Sequence, residues 1–211
     1  MTVLKLLRNA LLFVAGILTA MALTLVVMMA LFPGDAQASD RCQSMEQEVR
    51  TAHFRYFGLD FPWWYGVAQL QKESGCRNVL SRDGVGSEGP AQITFRWWKK
   101  PLAAEGIAEV RSTKNNLRAQ AFIMKDAWDA SPQRLWVAYQ IYNGGRLVLK
   151  EIARGGLGWH AARKECRRKD IVFDNGQVIN ACDINYQYPV KIERYADAYR
   201  RGTDARQYPF W

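Results

Sequence analysis

At 211 residues the chain has room for one ordinary domain and an appendage, and its 12% aromatic and 49% hydrophobic content excludes an intrinsically disordered protein. The formal charge is +9, and setting aside Lys5, Arg8 and Asp35 leaves +8, which fits either simple solubility or an anionic partner. Net charge alone does not choose the partner; for a domain exported behind an N-terminal apolar run, a cell-wall polymer or a lipid surface is expected over nucleic acid, for which no binding motif is present.

Lys5 and Arg8 precede an uncharged apolar run from Ala10 to Phe32, which Pro33-Gly34 ends. At 23 residues it can span a bilayer and exceeds the roughly 7 to 15 apolar residues of a cleavable signal. Ala36-Gln37-Ala38 before Ser39 is nonetheless a small-x-small cleavage signature. Residues 1–38 are therefore expected to be a signal peptide or an N-terminal membrane anchor, with membrane attachment through residues 10–32 if retained. Residues 39–211 form the exported domain, periplasmic or in the cell envelope, because the positive flank stays inside. In that oxidising compartment Cys42, Cys76, Cys166 and Cys182 imply two disulfides. Three pairings stay open, of which Cys166 with Cys182 is the most local. A zinc site lacks any CxxC spacing and has only His53 and His160 to draw on, so no metal and no cofactor are expected.

From Asp40 to Tyr56 the pattern reads as a peripheral helix with a thin apolar face. A better-marked helix runs from Pro62 to Ser74, with proline in the first turn and Gly75 as the breaker. Its inward stripe is Trp63, Val67, Leu70 and Ser74, and Glu73 lies about 60° from Leu70, at the edge of the buried face. Residues Asn78 to Pro90 are dense in turn formers and read as a loop or small β-ribbon. Helices resume at Thr94–Lys100, where Pro101 interrupts, then at Ser112–Ala130 and Ser131–Asn143. The last has Ser131 as cap, Pro132 in its first turn and Gly144-Gly145 as the stop. A further helix covers Leu147–Ala153. Ile171, Val172 and Phe173, then Asp174-Asn175-Gly176, then Val178 and Ile179 form a hairpin signal, and a final helix runs from Tyr188 to Arg200. The fold class is mainly α, of α+β lysozyme-like type, with a small β-hairpin insertion.

Glu73 is the candidate for chemistry, although a glutamate at a helix end is usually a solvated surface residue. A general acid must keep its proton near neutral pH, which requires desolvation and no strong cationic partner, and the negative end of a helix pushes the same way. Glu73 meets these conditions on paper, with Lys72 pointing about 100° away.

Glu73-Ser74, then Ser81 and Gly84, then Gly89-Pro90-Ala91-Gln92-Ile93 stand in the order of a known family's first motifs. Asn116-Leu117-Arg118-Ala119, Ile141-Tyr142-Asn143-Gly144-Gly145 and, more weakly, Tyr188-Pro189-Val190-Lys191-Ile192 continue that order. Over roughly residues 61 to 195 the chain resembles the soluble-lytic-transglycosylase domain, a relative of goose-type lysozyme that cleaves the glycan strands of peptidoglycan. It departs from the pattern in a Glu-to-Gln spacing one residue longer, in Cys76 where an aromatic or apolar residue is usual, and in Pro90-Ala91 in place of Leu-Met.

The resemblance implies that Glu73 protonates the glycosidic oxygen between N-acetylmuramic acid and N-acetylglucosamine. Glu73 then acts as base on the muramyl C6 hydroxyl to give a 1,6-anhydro product. It implies that Ser81 and Gln92 bind the glycan, that Tyr142 and Asn143 line the cleft, and that Tyr142 orients the Glu73 carboxyl. A disulfide at Cys76 would brace the segment behind Glu73. Lysozyme-type hydrolysis would instead need a second carboxylate, and Asp83 and Glu88 are the nearby candidates. A non-catalytic wall-binding component of a transenvelope machine is the remaining alternative. Trp63-Trp64-Tyr65 and Trp97-Trp98 could supply one or two sugar-stacking rings, although aromatics at helical spacing usually belong to a core.

Overall fold

The computed structural model describes residues 40–81, 85–172, 176–203 and 206–211. The apolar run 10–32, the cleavage signature and Asp83 lie outside them. The described part is mainly helical: α1 (Asp40–Gln43), α2 (Glu46–Phe57), α3 (Trp64–Ser74), α4 (Phe95–Ala104), α5 (Thr113–Ala130), α6 (Leu135–Gly144), α7 (Leu147–Gly155), α8 (Trp159–Lys164) and α9 (Ala181–Ala196). One two-stranded antiparallel sheet, β1 (Ile171–Val172) with β2 (Val178–Ile179), pairs Ile171 with Ile179 and Val172 with Val178.

The core is built around α3, which is buried on almost every side from Trp64 through Leu70 and packs against α9 and α2. The expected stripe of α5 is buried throughout, Leu117, Ala121, Met124 and Trp128 facing α2 and α6. α6, the most apolar of the helices, inserts Leu135 to Ile141 between α5 and α9. The hairpin stays at the surface, with Ile171, Val172 and Val178 exposed.

Several expected boundaries move. The first helix is broken at Ser44-Met45 into α1 and α2. Ser131 does not cap α6; its hydroxyl donates to the Trp128 carbonyl at 2.8 Å and so closes α5. α6 starts at Leu135, and its first free N–H groups are met by the chain's last residues: Leu135 and Trp136 donate to the Pro209 and Phe210 carbonyls, each at 3.0 Å. Pro101 does not end α4, and Pro189 lies inside α9, which begins at Ala181 and not at Tyr188. An interior proline costs about 3 kcal/mol. In α9 burial of Tyr186, Tyr188, Ile192 and Ala196 on both sides of Pro189 offsets that cost, so tertiary packing overrides the local signal. The short helix α8 was not expected.

All four cysteines are bonded, Cys42 to Cys76 and Cys166 to Cys182. With separations of 34 and 16 residues, each bridge contributes about 3–4 kcal/mol through the unfolded chain. Two disulfides fit an exported protein in an oxidising compartment. Among the described residues no helix is long and apolar enough to cross a membrane.

Candidate active site

α3 ends at Ser74 because Gly75 adopts φ +63, which only glycine takes at little cost, and its N–H returns to the Gln71 carbonyl. The next residue, Cys76, is fully buried and bonded to Cys42 in α1, so the chain leaving the helix is tied down one residue past the turn. Ser74 anchors the other side. Its hydroxyl donates to the Pro90 carbonyl at 2.9 Å and accepts from the Arg77 N–H at 3.0 Å, joining the helix end to the loop that follows.

That loop is a small ribbon, as the turn-forming composition suggested. Leu80 bridges Glu88, and Glu88 bridges Ile93. Asn116 in α5 fixes the turn at its tip, donating to the Glu88 and Val110 carbonyls at 2.8 and 2.9 Å and accepting from the Ala91 N–H at 2.8 Å. Gly89 makes room for it, since a Cβ there would stand 2.1 Å from Asn116 Nδ2. No property of the sequence around Asn116 announces this anchoring role.

Glu73 sits in the last turn of α3 with its carboxyl drawn inward. The Tyr188 hydroxyl of α9 donates to Glu73 Oε1. Burial raises the Glu73 pKa from its ordinary value, while the positive charge of Lys72 and the Tyr188 hydrogen bond pull it back. Burial wins, although part of the residue remains accessible, because no ammonium or guanidinium among the described residues pairs with this carboxylate. Lys72 instead places its ammonium 5.3 Å from the Tyr188 ring centre.

Tyr142 comes to the same place from α6, but it does not hold Glu73 as the resemblance implied. Its hydroxyl donates to the Ala91 carbonyl at 2.9 Å, clamping α6 to the ribbon, and Tyr188 takes the orienting role. Burial, then the neighbouring Glu73 charge, raises the Tyr142 pKa well above the ordinary value, and the same two causes act on Tyr188. Both phenols stay protonated and remain donors at any physiological pH.

Gln92 adopts φ +49, and its amide donates to the Val79 and Gly89 carbonyls at 3.0 and 2.8 Å, so its N–H groups are committed to the ribbon. Ser81 is half-buried in the same ribbon, its backbone N–H on the Ser87 carbonyl at 2.8 Å. Asn143 follows Tyr142 and is exposed. Of the proposed second acids, Glu88 is bound to Arg111 at 3.2 Å, and Asp83 lies outside the described residues. Among the aromatic candidates, Trp64 and Tyr65 are core, Trp63 and Trp98 half-buried, and Trp97 exposed.

Sequence reading missed the residues behind Glu73. Tyr188 stood in the weakest motif, at what looked like the start of a helix. Gln69 and Gln120 gave no signal at all: both are fully buried, and Gln69 donates to the Tyr188 hydroxyl at 3.1 Å. No protein-family model, curated protein or solved structure matches the chain.

Proposed function

We propose that this protein is a peptidoglycan lytic transglycosylase that acts through Glu73 alone. The observation that carries the reading is a desolvated carboxyl without a cationic partner, at the end of α3, beside the ribbon and held by a tyrosine hydroxyl. Burial raises the Glu73 pKa, which is the direction that proton delivery to a glycosidic oxygen requires. When the bond between muramyl C1 and that oxygen breaks, the proton goes to the departing sugar and Glu73 is left as a carboxylate, which the Tyr188 hydroxyl stabilises. The carboxylate then removes the proton of the muramyl C6 hydroxyl as its oxygen closes on C1, giving the 1,6-anhydro ring and restoring the acid. No water enters, so no second carboxylate is needed, and the pairing of Glu88 with Arg111 agrees with that. The ordered motifs from Glu73-Ser74 to Tyr188 support the same substrate by resemblance.

The test is incubation of the full-length protein and Glu73→Gln with purified peptidoglycan, followed by mass spectrometry of released muropeptides. Products lighter by one water are expected, and Glu73→Gln should slow their release by roughly 10²–10⁴-fold. Hydrated ends would establish a muramidase instead. Release indifferent to Glu73, or none, would leave a non-catalytic wall-binding component.

A further inference from the structure

Glu73 is the end of a buried hydrogen-bond chain whose direction is set from the backbone. Gln120 in α5 donates one N–H to the Gly66 carbonyl of α3 at 3.0 Å and another to Gln69 Oε1 at 2.8 Å. Gln69 donates to the Tyr188 hydroxyl at 3.1 Å, and Tyr188 donates to Glu73 Oε1. A backbone carbonyl can only accept, so Gln120 must turn its amino group toward Gly66 and Gln69. Flipped, its carbonyl oxygen would face two acceptors. Gln69 must then use its oxygen on Gln120 and its amino group on Tyr188. With a donor already aimed at its oxygen, the Tyr188 hydroxyl has its proton free only for Glu73. The arrangement leaves Gln120 Oε1 buried without a hydrogen-bond partner among the described residues.

We propose that Gln69 and Gln120 are positioning residues that oblige Tyr188 to donate to Glu73 Oε1, so that the transferable proton resides on Oε2. This rests on the transglycosylase reading for its consequence but not for its geometry. Oε1 becomes the permanent acceptor and Oε2 the oxygen presented to a reacting group. Without the chain, the Tyr188 oxygen can also accept a hydrogen bond from the protonated Glu73 carboxyl, which stabilises the wrong rotamer of the acid. The charged and titratable groups around this carboxyl are Lys72 on its own helix, Tyr142 from α6 and Tyr188 from α9.

Carboxyl-¹³C NMR titration of Glu73 in the full-length protein, assigned by difference from Glu73→Gln, reads the chain without any activity. Gln69→Met and Gln120→Met are expected to move the Glu73 midpoint upward, in the direction of Tyr188→Phe, and to add nothing further in the Tyr188→Phe background. Peptidoglycan cleavage by either methionine variant should fall roughly two- to tenfold, with the pH profile displaced in the same sense. A midpoint that moves in Tyr188→Phe and stays in both methionine variants overturns the proposal. If the variants do not fold, the wild-type protein still decides: an exchange-protected Tyr188 hydroxyl proton in contact with Glu73 supports the chain, and a rapidly exchanging one overturns it. Correct midpoints without cleavage by the wild type would sink the transglycosylase reading and leave the positioning role standing.

Discussion

Two glutamates in this domain, Glu73 half-buried and Glu151 buried, each take a hydrogen bond from a tyrosine of α9, and their fates differ. Tyr188 donates to Glu73, and Tyr186, two residues earlier and on the opposite side of the helix, donates to Glu151 at 2.7 Å. Glu151 is also gripped by both arms of Arg168 at 2.9 and 3.0 Å, and the pair is almost fully buried. Glu73 has the tyrosine but no guanidinium. A tyrosine hydroxyl orients each carboxyl, but only Glu151 is also locked by a guanidinium. Glu151 ties α7 to the segment leading into the hairpin; Glu73 makes no such tie among the described residues.

The largest expected effect comes from making the same substitution at both acids. Glu151→Gln leaves Arg168 buried without its counter-charge and should cost about 3–5 kcal/mol, lowering Tm by roughly 10 °C in calorimetry. Glu73→Gln should not destabilise the fold. Equal losses of stability at the two positions would erase the distinction.

Removing the two hydroxyls gives the next effect. Tyr186→Phe and Tyr188→Phe are each expected to cost about 1–3 kcal/mol in urea unfolding, the second because it strands the Gln69 amide. Only Tyr188→Phe should alter the pH profile of cleavage. The lost hydrogen bond had lowered the Glu73 pKa, so the limb on which activity falls with rising pH should move to higher pH.

The smallest effect is on stability against pH. The folded-state pKa of Glu73 is raised above the ordinary 4.5, so between the two values the folded state holds the extra proton. The stabilisation is complete below the unfolded value and is lost as pH rises through the folded one. At neutral pH Glu73→Gln should therefore melt above the wild type, by roughly 2–4 °C for each kcal/mol relieved, and the gap should close near pH 4.5. A gap independent of pH would contradict the burial of an ionised Glu73.

Much of the fold was legible because it follows local rules. The stripe of α5, the stop at Gly75 and the Ile171-to-Ile179 hairpin each depend on residues close together in the chain. The prolines misled for the complementary reason. Pro189 carries a local cost that nothing within α9 offsets, and only packing against α3 and α6 does so. The site divides in the same way. Glu73 and its place at a helix end could be read; Tyr188, Gln69 and Gln120 could not, since a polar residue in a helix is ordinarily a solvated one.

An acid at a helix terminus, a turn-rich segment after it and four cysteines of open pairing could all be read from the chain alone. These depend on helical periodicity, turn preference and residue chemistry. It took the folded chain to show that Cys42 meets Cys76, that Tyr188 and not Tyr142 holds Glu73, and that two glutamines stand behind the tyrosine. Those contacts join residues 34 to 119 positions apart in the chain, and the hydrogen bonds among them gain their strength from exclusion of water, which exists only once the helices have packed.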